Sequence, residues 1–435
     1  MGRAIRDGRC FCWIEYRPLP SQVRFHRSTA RFKGFSGPVG SGKSQALCHE
    51  AIKLSYLNPG RVGLLGAPTY QMLRDVAQAT LVEILQRNQI PFELRRSEGV
   101  LILRDTGSKI LLRSLDEYEH LRGTNLAWFG VDELTYCSEE AWERLEARLR
   151  DPRAKRLCGF AVWTPKGFDW VYRKFVKDPP EGYEVIIAQP MENRYILEAV
   201  PDFYERLRRS YDERFYRQEV LGEYLATAEG RVYYSFDRAV HVREVELDDN
   251  RPLLWSLDFN VDPMCSIVAQ RDGEEIRVLD EIVLRRSNTF EACEEFLNRY
   301  GKPSRVVYIY GDASGLRGQT SGMSDFDMVR RVLSRWGLSR VVMKVGRRNP
   351  PVRDRVALVN AWLRNAAGEV RLYIHPRCKE LIRDLEEVVY KEGTSLIDKS
   401  SVRERTHLSD ALGYLICQEF WSKGPVGERS EPLVF

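Results

Sequence analysis

Short apolar runs closed by small or charged residues alternate with longer amphipathic stretches through the first half of the chain. That alternation predicts parallel strands covered by helices. Residues 31–36 read as a strand and 45–56 as the helix after it. Residues 62–66 read as a second strand, turning at Ala67-Pro68-Thr69-Tyr70 into a helix that runs through Arg87. Hairpin-like runs at 100–104 and 109–114 precede the apolar strand 126–131, which Asp132 and Glu133 close. A further strand, 159–163, ends at Thr164-Pro165-Lys166-Gly167, and helical stretches at 202–221 predict a small closing subdomain. From residue 251 the pattern changes to a meander of 253–260, 265–270 and 276–284, with a tight turn at Arg271-Asp272-Gly273-Glu274. A helix at 289–300, a strand at 305–312, helices at 324–336 and 353–366 around a strand at 341–345, and a last helix opening at Thr406 complete it.

The two patterns divide the chain into an α/β domain at 1–228, with the closing subdomain at about 170–228, and a mixed-sheet domain at 251–435. The stretch 229–250 reads as a linker, because Glu244-Val245-Glu246-Leu247-Asp248-Asp249-Asn250 is a solvated crossing.

Chemistry enters at the first strand's end, where Gly37-Pro38-Val39-Gly40-Ser41-Gly42-Lys43-Ser44 forms a complete G-x-x-x-x-G-K-[ST] phosphate-binding loop. Its glycines let successive backbone N–H groups from Gly37 through Gly40, Ser41 and Gly42 face the phosphates of a nucleoside triphosphate. Lys43 would reach the β and γ oxygens, and Ser44 would ligate Mg²⁺. Asp132, after a buried strand, is placed to hold the Mg²⁺ water shell, and Glu133 to polarise the water that attacks the γ-phosphate. Taken alone, that acid pair equally describes a strand ending in a charged turn. Behind a complete phosphate loop it reads as a hydrolase. Thr164 is placed to sense the γ-phosphate.

In the second half, three acids punctuate the pattern: Asp258 inside a strand, Asp312 at a strand end, and Asp410 on the last helix. Carboxylates from two strands and a helix can converge on two Mg²⁺ or Mn²⁺ ions, hard cations that take oxygen ligands. Such a pair clamps the attacking water and leaving oxygen of a phosphodiester. His407 lies one helical turn before Asp410, on the same face, where it can transfer a proton. Acids at strand ends and a histidine at a helix start also serve as plain caps, so spacing alone leaves both readings open.

Composition narrows the setting. The 435 residues are 43% hydrophobic and 30% charged, the balance of a globular chain with sizeable cores. No apolar run approaches about 18 residues, and charges interrupt the N-terminal segment, which argues against export and membrane spanning. The 9 cysteines lack zinc-site or disulfide-scaffold spacing, which fits a reducing cytosol. Net charge is only +5, with 14 Lys and 53 Arg, so any DNA contact must come from local patches, for which Arg285-Arg286, Arg330-Arg331 and Arg347-Arg348 are candidates that read equally as solvated faces.

The order of these motifs, over nearly the whole chain, resembles the large subunit of a tailed-bacteriophage or prophage terminase. The resemblance rests on Gly37 to Ser44, on Leu121-Arg122-Gly123 leading into Val131-Asp132-Glu133, on Trp163-Thr164-Pro165-Lys166-Gly167, and on Gln218-Glu219-Val220-Leu221-Gly222-Glu223-Tyr224. Further on it rests on Asp258-Phe259-Asn260, Tyr310-Gly311-Asp312 and His407-x-x-Asp410-Ala411. It implies a P-loop packaging ATPase of the additional-strand, catalytic-glutamate type, followed by a ribonuclease H-like nuclease that cuts double-stranded DNA concatemers. It implies Asp258, Asp312 and Asp410 as metal ligands with His407 as helper, and Gln22 as an adenine contact. Val39 stands where many relatives have an arginine, which makes Arg122 the candidate arginine finger, acting in cis or in trans across a homo-oligomeric ring. The implied partners are a small terminase subunit and the capsid's portal protein. The implied setting is the infected host's cytoplasm and, transiently, the procapsid, with no membrane and no place in the mature virion. Two other readings stay open: a P-loop helicase or repair ATPase without a nuclease, and a portal-binding packaging protein whose nuclease is inactive.

Overall fold

The computed structural model describes residues 4–6, 9–11, 14–116, 123–225, 230–259, 262–318, 323–338, 340–391, 396–398 and 406–420. The chain divides into two compact units, Met1–Tyr204 with Arg217–Ala226, and Glu205–Tyr216 with Thr227–Phe435.

The first unit is built on an eight-stranded sheet. Its strands are β1 (Phe32–Ser36), β2 (Val62–Ala67), β3 (Phe92–Arg95), β4 (Val100–Leu103), β5 (Lys109–Ser114), β6 (Trp128–Val131), β7 (Cys158–Trp163) and β8 (Tyr183–Ile187). In space they run β8-β1-β7-β6-β2-β5-β4-β3. The ladders from β8 to β5 are parallel, and β4 and β3 close the sheet antiparallel. Every residue of β6 and β7 is buried, as a strand with helices on both faces requires. One face packs Phe35, Leu65 and Phe160 under α1 (Pro20–Arg27), α2 (Lys43–Leu57) and α3 (Ala79–Arg87). The other packs Phe129, Trp163 and Phe175 around Trp142 of α4 (Glu139–Arg148). β8, an edge strand that the apolar pattern does not reveal, pairs with β1 in register Tyr183↔Phe32 to Ile187↔Ser36. Part of the span expected to be a helical subdomain is therefore sheet.

The second unit holds a six-stranded mixed sheet ordered β13-β12-β9-β10-β11-β14. Here β9 is Leu253–Asp258, β10 Met264–Asp272, β11 Glu275–Leu284, β12 Val306–Gly311, β13 Arg340–Met343 and β14 Leu372–Ile374. The meander β9-β10-β11 is antiparallel, whereas β12 lies parallel to β9 and β13 parallel to β12. Helices α5 (Thr289–Tyr300) and α6 (Asp325–Arg335) cover one face, where Trp255 stacks on Phe296 at 4.2 Å. Helices α7 (Val352–Leu363), α8 (Lys379–Glu387) and α9 (His407–Phe420) cover the other. Among the described residues, no helix is long and apolar enough to cross a membrane.

Candidate functional site

Both units gather their chemistry at the carboxyl ends of parallel strands, where such sheets leave a crevice. In the first unit, β7 lies between β1, which feeds the phosphate loop, and β6, which ends in Asp132 and Glu133. That intervening strand is the additional strand expected of a catalytic-glutamate ATPase.

The loop is shaped for an anion. Gly42 has φ +78°, and a Cβ on Gly37 would lie 2.4 Å from Ser41 Oγ, so side chains would fill the cradle. Ser41 Oγ is buried with no hydrogen-bond partner among the described residues. Lys43 folds back, Nζ donating to the carbonyls of Gly37 at 3.1 Å and Pro38 at 3.0 Å. Both features fit a phosphate guest. Ser44, in the loop's last position, is the second residue of α2.

Asp132 is buried, and burial together with the neighbouring Glu133 pushes its carboxyl up to about 7, against the pull of Lys43. Glu133 sits at φ 47°, ψ 52°, a left-handed conformation rare outside glycine, and its backbone N–H donates to Asp132 Oδ1 at 3.1 Å. Backbone strain of this kind persists where the surroundings over-determine it, commonly at reactive positions. Thr164 follows β7, and its carbonyl accepts a bond from Thr135 Oγ1 at 3.3 Å. Gln22 is buried with its amide engaged by the chain itself: Oε1 accepts from Leu19 N at 2.8 Å, and Nε2 donates to Gly42 O at 2.9 Å. It therefore braces the phosphate loop. It also lines a cavity of about 640 Å³ beside Gly42, with Tyr16, Gln45, His49 and Tyr195. Arg122 lies outside the described residues.

Three braces escaped the sequence reading. Asn193 Nδ2 donates to Gly40 O at 2.6 Å, Val39 N donates to Glu219 O at 2.7 Å, and the Tyr224 hydroxyl bonds both Ser36 Oγ and Trp163 Nε1. The last two belong to the 218–224 segment that the family resemblance had picked out without a role.

In the second unit, Leu257 pairs with Gly311, so Asp258 and Asp312 end adjacent parallel strands, with Asp312 N donating to Leu257 O at 3.2 Å. Helix α9 is pinned across these strands by Ser256 Oγ donating to Ala411 O at 2.6 Å and by Gln418 bonding both polar groups of the Gly311 backbone. Its N-terminus is capped by Asp384, whose Oδ2 accepts from Ser409 N at 3.2 Å. His407 Nδ1 thereby reaches Asp258 Oδ2 at 2.9 Å, and that bond raises the imidazole's pKa above the ordinary value. Burial pushes the Asp312 carboxyl up, but bonds from Asn349, Ser314 and Tyr414 outweigh it and hold the group below the usual range. Asn349 brackets this acid, Nδ2 donating to Asp312 Oδ1 at 2.8 Å and Oδ1 accepting from Ala313 N at 2.8 Å. Asp410, on the same helix, is paired with buried Arg355 at 2.7 Å. Among the described residues, no three His, Cys, Asp or Glu groups stand in a metal-holding arrangement. The donor set itself, oxygen-rich with one imidazole, suits a hard divalent cation.

A family model described as the N-terminal domain of the T4likevirus-type terminase large subunit matches residues 35–239, and one described as a terminase RNaseH-like domain matches 256–419. The chain belongs to the terminase large-subunit family. It is 27% identical over 268 residues to the large-subunit terminases of Thermus virus P23-45 and Thermus phage G20c, a match covering 56% of this chain and 53% of each relative. The chain thus spans about half the length of the curated relatives it matches. Its fold matches the large terminase of a thermophilic bacteriophage, solved alone (TM-score 0.66, 16% identity) and in complex with ADP (TM-score 0.67, 17% identity). Both comparisons cover 92% of this chain and 99% of the solved one. The fold is therefore a P-loop ATPase domain followed by a ribonuclease H-like domain, as the order of motifs implies.

Proposed function

We propose that this chain is a DNA-packaging motor subunit, in which ATP hydrolysis at the phosphate loop drives translocation of double-stranded DNA and the second unit cuts the concatemer. What carries this reading is the presence, in one chain, of an additional-strand phosphate-loop site and a strand-end carboxylate pair with a hydrogen-bonded imidazole. The large terminase of the thermophilic bacteriophage is described in complexes with ADP and with ATP-gamma-S, which supports a nucleotide at the loop.

In this mechanism the backbone N–H groups of the loop receive the β-phosphate, and Lys43 moves from the carbonyls of Gly37 and Pro38 to the β and γ oxygens. Ser44 and Asp132 would hold Mg²⁺, which neutralises developing phosphate charge. Glu133, next to Asp132 on a left-handed backbone, orients the attacking water, and Thr164 reports the γ-phosphate. Arg122, as an arginine finger from a neighbouring copy in a ring, would complete the site. The cavity lined by Tyr16 and Gln45 is the place for the base.

In the second unit, Asp258 and Asp312, joined by Asp410, would hold Mg²⁺ or Mn²⁺, two ions in all, which would polarise the scissile phosphate and activate water. His407, oriented by Asp258, serves proton transfer. The portal protein, small terminase subunit and host cytoplasm follow from family membership as parts of the same proposal, as do functional domains at 1–228 and 251–435 joined by a linker. The purified chain should hydrolyse ATP, and Lys43→Ala should remove that turnover. A Lys43→Ala protein that hydrolyses ATP at the wild-type rate would refute the phosphate-loop assignment.

A further inference from the structure

Asp410 is not waiting for a cation. Its Oδ1 accepts a 2.7 Å bond from Arg355 Nη2, and the two side chains are only 10% and 6% exposed. The arginine has a built slot. A Cβ on Gly413 would lie 2.4 Å from Arg355 Cγ and 2.7 Å from Cδ, so glycine there admits the side chain, and the ring of Tyr414 lies 4.4 Å from the guanidinium carbon. Burial disfavours the charged guanidinium, yet Asp410 and Tyr414 outweigh that and keep it cationic. Asp258 and Asp312, by contrast, sit on adjacent strand ends, where His407 bonds the first and Asn349, Ser314 and Tyr414 donate to the second. The three acids thus differ in the kind of partner they hold: a buried guanidinium for Asp410, an imidazole for Asp258, and neutral amide, backbone and phenol donors for Asp312.

We propose that Arg355 is an internal counter-ion that keeps Asp410 from ligating metal until DNA is bound. The first cation then binds through Asp258 and Asp312. Asp410 joins when a DNA phosphate, which offers a guanidinium the same bidentate geometry as a carboxylate, draws Arg355 away. An arginine suits this exchange because removing it from a buried acid without a replacement anion is strongly unfavourable. The nuclease is thereby held partly unloaded while no substrate is present. This inference rests on the nuclease reading above.

The test is equilibrium Mn²⁺ binding to the full chain without DNA or nucleotide, read as free Mn²⁺ by electron paramagnetic resonance. Asp312→Asn should weaken the first nuclease-unit ion at least tenfold, whereas Asp410→Asn, which still accepts a bond from Arg355, should change it less than twofold. Arg355→Met should add a second ion or tighten binding severalfold. The paired variant Arg355→Met with Asp410→Asn, which leaves no buried charge unpaired, should restore wild-type stoichiometry. Equal weakening by Asp410→Asn and Asp312→Asn would overturn the counter-ion role. If neither Asp258→Asn nor Asp312→Asn alters Mn²⁺ binding, the nuclease reading itself fails, and this inference with it.

Discussion

Glu133, like Gln89 and Met191 in the first unit, carries a left-handed backbone, a conformation that glycine would adopt without strain. Its carboxylate is needed where that backbone points it. Glu133→Gln keeps shape and removes the base, and should lower ATP turnover by about 10²- to 10⁴-fold while nucleotide still binds. Steady-state hydrolysis beside nucleotide-binding titration checks it. Asp132 makes a pH prediction. Burial first, and Glu133 second, push its carboxyl up to about 7, so below that pH it holds a proton that must leave before Mg²⁺ can bind. Between pH 8 and pH 6 its ionised fraction falls about tenfold, and MgATP affinity should fall with it. In Asp132→Asn the affinity should be weak and flat over that range. The phosphate loop, Asp132 and Glu133 were legible in the sequence because their chemistry is compressed into a few consecutive residues after an apolar run. Asn193, 153 residues from Gly40, and Arg355, 55 residues from Asp410, carry no such local mark. Only the fold brings them to the site. Gln22, which the resemblance pointed toward the base, lines the cavity beside Gly42 and also donates its amide to the Gly42 carbonyl.

At the scale of elements, the phosphate loop is stiff because everything beside it is tied down. Glu50 of α2 is fully buried and pairs with buried Lys33 of β1 at 2.8 Å, with His26 of α1 at 2.7 Å and with Lys53 at 3.0 Å. Burial pushes the Glu50 carboxyl up, but His26, Lys33 and Lys53 outweigh it and hold it at about 2. The strand before the loop and the helix after it are thus joined through one anion. Glu50→Gln leaves Lys33 uncompensated in the core and should destabilise the first unit by about 3–5 kcal/mol, seen as a lower Tm in calorimetry. Long apolar strands and capped helices were readable from pattern alone, and α5 falls at residues 289–300 as the pattern predicts. β8 and β14 were not. β8 is half-exposed and carries only the short apolar run Val185-Ile186-Ile187, and β14 is only three residues long. Each becomes a strand because a neighbour, β1 or β11, offers an unpaired edge.

At the scale of the whole molecule, two chemical sites occupy two compact units of one chain, each with its own sheet and its own cores. DNA contact belongs here too. Arg347 and Arg348 are exposed on the loop whose next residue, Asn349, brackets Asp312. Replacing both with alanine should weaken DNA binding without regard to sequence and flatten its salt dependence by about two phosphate contacts, measured by binding at several salt concentrations. The central claim is that one chain houses two separable engines. It is tested most directly by plasmid cleavage and ATP turnover measured side by side in Mg²⁺ and Mn²⁺ for wild type, Glu133→Gln and Asp258→Asn. Wild type should do both, Glu133→Gln should cut DNA without turning over ATP, and Asp258→Asn should turn over ATP and leave the plasmid intact. A wild-type protein that leaves plasmid uncut in both metals, or an Asp258→Asn protein that cuts at the wild-type rate, would contradict it.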